Sequence, residues 1–441
     1  MRERTPRFTV IIPCKNRAEF LGHTLRTCMM QTYDRLEIIV SDDGSTENNR
    51  EVVEAATRLD PRIRLVTHNP GIGMRDNFET ALREVKEGFV IAIGGDDAIL
   101  PDGIQGMCDV LHETKQEMLA WPAPVYTYPG VRTTNGQLMI YHSLGARTID
   151  SNEFLRRQAD NLDYLSDIES PMFYVKGVVS TALVERARRR SSDGRFYSCP
   201  TPDGYSGIVL AGETPQYAFS SRPFSLHGVS PESQGLAHIS NGEKAKESSA
   251  AFLRSVASRP MHPDLASQPY SPLITLMTVD YLLTARDLPG WPGTIPPIDY
   301  RTVLLRALSE LAHGMFGAER VARELSILDV IAAHHGLGEF FRAQVARSTR
   351  HKPRAPFEGT GINASVWFVD AGTYRLRNVV DAAYATKYLY QAYVDLQPSR
   401  VIKAVARSAR YRLAALGRGD SFPPPREWAL ERTNTGDSSR G

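Results

Sequence analysis

The sequence predicts an α/β fold built on a mostly parallel sheet and followed by a helical carboxyl-terminal region. Three observations predict it. β-Branched runs alternate with amphipathic stripes through the first part of the chain, each run ends in a polar cluster, and beyond residue 244 long segments of helical period take over. Strand and helix in alternation imply parallel strands joined by right-handed crossovers. Open sheets of that kind bind ligands at the carboxyl ends of their strands.

Phe8-Thr9-Val10-Ile11-Ile12 reads as the first strand by its β-branched content. It runs into Pro13-Cys14-Lys15-Asn16-Arg17, after which Phe20, Leu21, Leu25, Cys28 and Met29 repeat at helical spacing. Leu36 to Val40 is the second strand, ending in Ser41-Asp42-Asp43-Gly44-Ser45-Thr46, and Ile63 to Val66 is the third, ahead of Asn69-Pro70-Gly71. Phe78, Ala81, Leu82 and Val85 then form the stripe of a helix laid on a sheet. Phe89 to Ile93 is the fourth strand, and it ends in Gly94-Gly95-Asp96-Asp97. Two adjacent carboxylates with no neighbouring Lys or Arg are costly to hold together unless a cation is shared between them. The pair suits a divalent ion bridging to a diphosphate; its plainer reading is a polar turn. Three strands delivering polar clusters to one edge favour a site.

Farther along, Met118 to Tyr128 and Gln137 to Tyr141 read as strands mixed with helices up to residue 230. Tyr270 to Leu283, Tyr300 to Leu311, Val321 to Ala333 and Val379 to Val394 read as helices, with the Pro-rich run Pro289 to Pro297 as a linker. No internal repeat is present.

At 441 residues the chain is long enough for two or three domains. Its net charge of +2 argues against a protein made to coat nucleic acid. No run of eighteen apolar residues exists to span a bilayer, and the start Met-Arg-Glu-Arg-Thr-Pro lacks the apolar core of a signal peptide. Cys14, Cys28, Cys108 and Cys199 have no metal-like spacing and read as reduced thiols. The expectation is a cytoplasmic protein, peripheral at the inner face of the membrane if its basic carboxyl-terminal segment engages lipid.

Taken together, Thr9-Val-Ile-Ile-Pro13 with Asn16-Arg17, Gln31-Thr32-Tyr33, Ile38 to Thr46, Asn69 with Gly71, Asn77, and Gly94-Gly-Asp-Asp97 with Pro101-Asp102 resemble the family 2 glycosyltransferases. The resemblance covers residues 8 to about 230, strongly to 110. It implies a Rossmann-like sheet of the A-type nucleotide-diphospho-sugar transferase fold. It also implies an inverting enzyme that moves a sugar from a nucleotide-diphospho-sugar, UDP-linked by preference, to an acceptor hydroxyl in bacterial polysaccharide or glycolipid synthesis. On this plan residues 1–115 form the nucleotide-sugar half and 116–243 the acceptor half of the same domain. Residues 244–418 are a helical region that offers a surface for homo-oligomerisation, and 419–441 a disordered tail. One departure is Pro202-Asp203, where many relatives carry an acidic pair.

The resemblance implies Asp97 as ligand of Mn²⁺ or Mg²⁺, bound by one or two carboxylates plus substrate phosphates, with Asp96 on the ribose or the ion's water shell. Asp43, with Asp42 beside it, suits the imide N–H of a uracil, since a carboxylate only accepts; the alternative is a helix cap. Pro13 and Asn16 lie on the neighbouring loop, and Arg75 and Asn77 follow Gly71-Ile-Gly73 toward the diphosphate. Gly71-Ile-Gly73 is no dinucleotide fingerprint, because Asp76 stands at the third glycine position. Asp203, at the start of a helix, matches the general base that deprotonates the acceptor, with an N-cap carboxylate as its plain reading and Asp193 and Asp167 as substitutes. His227 is a candidate to complete the metal shell.

From Arg400 to Arg418, the residues Ile402, Val405, Ala409, Leu413 and Leu416 share a face opposed by Arg400, Lys403, Arg407 and Arg410, with Arg412 and Arg418 nearby. Such a helix either lies on an anionic membrane, which would suit a lipid-linked saccharide acceptor, or packs on its own domain. A catalytically silent nucleotide-sugar-binding or assembly subunit is the alternative function. A nucleotidyltransferase fits less well, because the loop after the first strand has no glycine.

Overall fold

The computed structural model describes residues 5–143, 145–239, 242–349, 356–363 and 365–416. In chain order its strands are β1 (Phe8–Cys14), β2 (Leu36–Asp42), β3 (Ile63–Thr67), β4 (Phe89–Ala92), β5 (Ala98–Ile99), β6 (Met118–Ala120) and β7 (Val125–Thr127). There follow β8 (Gln137–Tyr141), β9 (Ala146–Asp150), β10 (Gly177–Ser180), β11 (Gln216–Ser220), β12 (Ser225–Val229), β13 (Gly361–Ile362) and β14 (Val366–Asp370).

The larger sheet runs β3-β2-β1-β4-β10-β6-β11-β9. Its first four strands are parallel, as alternation with helices requires; β10 enters antiparallel between β4 and β6, and β9 closes the edge antiparallel to β11. Helices Ala18–Met29, Asn49–Leu59 and Met74–Arg83 are the crossovers, and Leu21, Leu25, Phe78 and Leu82 are buried against the strands. Because these strands are covered on both faces, Val10, Ile11, Ile12, Ile38, Ile39 and Val40 are fully buried, and they read as unbroken apolar runs.

A second sheet runs β13-β14-β8-β7-β12-β5. The segment expected as one strand from Met118 to Tyr128 is two, β6 in the first sheet and β7 in the second, parted at Trp121 to Pro124. The region expected to be wholly helical also supplies β13 and β14, with β14 antiparallel to β8 from Val366 against Tyr141 to Asp370 against Gln137. These strands thereby return to the α/β core, and the Tyr126 hydroxyl donates to the Leu376 carbonyl at 2.8 Å.

Helices Ile274–Arg286, Tyr300–Ala312, Ala318–His334 and Gly338–Arg347 form their own apolar cluster. Tyr270, Met277, Tyr281 and Leu282 belong instead to the core beneath the large sheet. The Pro-rich run is no free linker: Trp291 is buried, and its indole N–H donates to the Val209 carbonyl at 3.0 Å. Gly212 permits this approach, because a Cβ there would lie 2.0 Å from the Trp291 ring. The chain divides into one compact unit to Tyr390 and a second from Gln391. Among the described residues no helix is long and apolar enough to cross a membrane. The expected tail at 419–441 and Arg418 lie outside the described residues, as do the side chains of Arg412, Leu413 and Leu416.

Candidate active site

The carboxyl ends of β1, β2 and β4 meet at the loop Gly94–Asp97. Gly94 is required there: a Cβ would stand 2.7 Å from the Tyr174 hydroxyl oxygen and 3.0 Å from Asp97 Oδ2. Asp97 is fully enclosed. Its Oδ2 accepts the Gly94 N–H at 2.6 Å, and its Oδ1 accepts the Gly228 N–H at 2.8 Å and faces His227 Nδ1 at 3.0 Å. Asp97, expected as the metal ligand, ties the β4 loop to β12 through these backbone donors, one on each oxygen. Asp96 differs. Its Oδ2 accepts the hydroxyls of Ser230 (2.6 Å) and Ser233 (3.1 Å), while its Oδ1 accepts no hydrogen bond. Burial and the Asp97 charge push the Asp96 carboxyl above its ordinary value, against the pull of Arg17, Ser230 and His227.

His227, on β12, has a side chain about 37% exposed and joins this pair through Asp97. Burial alone would lower its pKa, but the Asp97, Asp96 and Asp203 carboxylates outweigh it and hold the imidazole above its ordinary value. Tyr174 stands between the groups: burial, then Asp97, Asp96 and Asp203, keep its phenol well above the usual range. Arg17 anchors the facing segment by donating to the Glu232 carbonyl.

Asp203 opens helix Asp203–Gly212. Its Oδ2 accepts the Tyr164 hydroxyl at 3.1 Å, whereas Oδ1 is buried without a partner. Burial raises the Asp203 carboxyl above its ordinary value against the Gly204 N–H, Tyr164 and the His227 charge. Gly204 lets two rings close over this corner, since a Cβ would meet Tyr164 at 2.5 Å and Tyr281 at 2.6 Å. The Tyr164 N–H in turn donates to Thr278 at 3.2 Å, so helix Ile274–Arg286 sets the ring in place. The substitutes for Asp203 lie elsewhere: Asp167 pairs with Arg157, and Asp193 accepts from Ser191 and Arg195 in an exposed turn.

The remaining expected residues line the strand ends with their polar atoms largely engaged. Asp43 accepts the Ile72 (2.5 Å) and Gly73 (3.0 Å) N–H groups and faces Lys15 at 3.6 Å, so it holds the Gly71–Gly73 loop. Asp42 accepts from the Ser45 N–H, the Ser45 hydroxyl and the Asn49 side-chain amide, so it braces the turn ahead of helix Asn49–Leu59 without capping it. Asn16 adopts a left-handed φ of 49° after Pro13, and its side-chain Oδ1 accepts the Thr46 N–H at 2.9 Å. Arg75 pairs with Asp76 at 2.6 Å. Asn77 is tied to Ser41 at both ends of its amide, at 2.6 and 3.0 Å. Sequence reasoning missed Tyr164, Tyr174, Ser230 and Ser233; only the two serines, three residues apart just after β12, carry a local signal.

Among the described residues no three His, Cys, Asp or Glu side chains are arranged as a complete metal site. Asp96 and His227 nonetheless suit a hard cation whose other ligands come from substrate phosphates and water, because two buried adjacent carboxylates face only Arg17 and an imidazole as counter-charge.

The profile of glycosyl transferase family 2 matches residues 9–166. Chondroitin synthase of Escherichia coli is 28% identical over 104 residues, 23% of this chain and 15% of that protein. The GalNAc(5)-diNAcBac-PP-undecaprenol beta-1,3-glucosyltransferase of Campylobacter jejuni is 29% identical over 109 residues, 24% of this chain and 35% of that one. The chain thus spans a minor part of the length of these relatives. S. aureus TarS 1-349 in complex with UDP-GlcNAc superposes with a TM-score of 0.41 at 12% identity, covering 77% of this chain and 90% of that one. At that distance the fold assignment rests on this chain's own topology.

Proposed function

Residues 9–166 belong to glycosyl transferase family 2, and on that premise we propose that the chain transfers a sugar, with inversion, from a nucleotide-diphospho-sugar to an acceptor hydroxyl. The uridine nucleotide is the first donor to try. The acceptor class we propose is a bacterial saccharide or lipid-linked saccharide, the kind named for the Campylobacter jejuni relative.

The single observation that carries this reading is Asp203: a half-buried carboxylate whose enclosed Oδ1 has no partner, electrostatically joined to His227 and, through Tyr174, to the Asp96–Asp97 loop. Asp203 Oδ1, which accepts no hydrogen bond from the protein, can take the acceptor's hydroxyl proton as that oxygen attacks. Its raised pKa strengthens it as a base. We place the divalent cation on Asp96 and His227, with Asp97 holding the loop that presents them. When bound, the cation offsets the charge growing on the departing nucleoside diphosphate. Asp96 keeps Oδ1 open, Arg17 adds positive charge beside it, and Tyr164 orients Asp203.

The test is Asp203→Asn, which keeps the shape and removes the base. Transfer should fall by about 10²–10⁴-fold while titration with UDP-sugar and Mn²⁺ gives wild-type affinity. Full transfer in the variant would remove Asp203 from the role. A wild type that binds donor tightly yet transfers to nothing across a broad acceptor screen would favour the silent subunit.

A further inference from the structure

Helix Pro398–Leu416 lies in the unit that begins at Gln391 and contains no Asp or Glu. At the angular step of an α-helix, Val401, Val405 and Ile402 fall within an arc of roughly 100°, and Arg410, Lys403, Arg407 and Arg400 fall within roughly 80° on the other side. The apolar arc is uncovered: Val401 is 38% exposed, Ile402 67% and Val405 62%, with Leu396 just before the helix at 70%. Of the cations, Arg400 pairs with Asp395 at 3.3 Å, and Arg407 Nε donates to the Lys403 carbonyl.

We propose that this helix docks on an anionic lipid surface, its apolar arc entering the headgroup boundary and its cations meeting lipid phosphates. Charge decides the occupant. Facing a second copy, this helix would bring cations together with no acidic side chain of its own to answer them. Three apolar side chains also fall far short of the ~1,200 Å² of a stable protein interface. An anionic bilayer supplies both missing complements, apolar depth and negative charge. The proposal does not depend on the transfer reaction, so either can fail alone.

The experiment is co-sedimentation of the full chain with phosphatidylcholine vesicles, with and without phosphatidylglycerol. Binding is expected to the anionic vesicles only and to weaken with added salt, as screened surface charge must. The triple change Lys403→Glu, Arg407→Glu and Arg410→Glu should lower partitioning by on the order of 10²-fold, since each cation near the surface contributes about fivefold. Ile402→Ser with Val405→Ser keeps the charge and should lower it at least about tenfold by removing buried apolar area. All five positions are exposed, so thermal unfolding should be unchanged in both variants. Equal binding to neutral vesicles, no binding by wild type, or binding indifferent to both variants would overturn the proposal. Self-association lost in Ile402→Ser/Val405→Ser without vesicle binding would instead assign the face to a second copy.

Discussion

Asp43, buried on a loop leaving the large sheet, and Asp203, half-buried at the start of helix Asp203–Gly212, are acids that the two sides of the molecule handle in opposite ways. On the amino-terminal side, Asp42, Asp43 and Asp97 are wrapped by N–H and hydroxyl donors, and each fixes a turn: Asp42 the Ser45 turn ahead of helix Asn49–Leu59, Asp43 the Gly71–Gly73 loop, Asp97 the junction of β4 with β12. By contrast, Asp96 and Asp203 each keep an oxygen without a hydrogen bond from the described residues, and both are raised above their ordinary range chiefly by burial. A buried charge left partly unsatisfied is costly, so it persists where something else completes it. Acidity alone does not mark the site; incomplete satisfaction does.

The strongest way to break this comparison is to make the same substitution at the two adjacent positions. Asp96→Asn should abolish Mn²⁺-dependent donor binding in a titration with UDP-sugar while leaving the melting temperature unchanged or higher, because it relieves a buried repulsion. Asp97→Asn places an amide N–H₂ against the Gly94 or Gly228 N–H, leaving buried donors face to face. It should cost about 1–3 kcal/mol of stability and lower the melting temperature. If the two variants lose stability and cation dependence in equal measure, saturation does not separate structural from functional acids here.

That separation also explains what could be read in advance. The alternation from Phe8 to Ala92 follows from local pattern, and so the parallel half of the sheet and the polar rim were legible. Asp203 was legible as a loop acid opening a helix. The roles of Asp96 and Asp97 were not, because what distinguishes them is the Gly228 N–H and the Ser230 hydroxyl, which arrive from β12 more than a hundred residues later. Tyr164 was invisible for the same reason, since its bond to Asp203 depends on helix Ile274–Arg286 pressing on its loop. The return of β14 onto β8 joins residues over two hundred positions apart, and a five-residue strand in a helical region carries no local signal strong enough to announce it.

Asp280, in the helical region and away from the Asp96–Asp203 cluster, sharpens the comparison from a third place. It is buried, accepts the His262 N–H at 2.7 Å, and burial pushes its carboxyl to about 6. Ionisation is therefore disfavoured in the folded state. The penalty is absent below the unfolded pKa of about 4, grows as pH rises, and is complete above about 6. Asp280→Asn removes the charge but keeps a carbonyl for His262. It should stabilise the protein by up to about 3 kcal/mol at neutral pH, with the gain fading as pH falls from 6 toward 4. A gain in melting temperature with donor binding unchanged would show that a raised pKa needs the site's company to signify function. Lost donor binding would contradict that.

The mildest change, Tyr164→Phe, tests how far the satisfied half of Asp203 matters. Burial and the adjacent carboxylate hold the Tyr164 phenol well above its usual range, so across any assay pH it can only donate to Asp203 Oδ2. That bond favours the ionised carboxylate and pulls the Asp203 pKa down against the burial that lifts it. Removing the hydroxyl leaves the ring packed against Gly204 and Tyr281 but takes this restraint away, so the pKa must rise further. Because the base works ionised, the acidic limb of the transfer profile should move to higher pH, while the plateau falls less than in Asp203→Asn. A residue that merely filled space would lower the rate equally at every pH. An unmoved limb would therefore reduce Tyr164 to packing, and a moved limb with unchanged donor affinity would make it the group that orients the base.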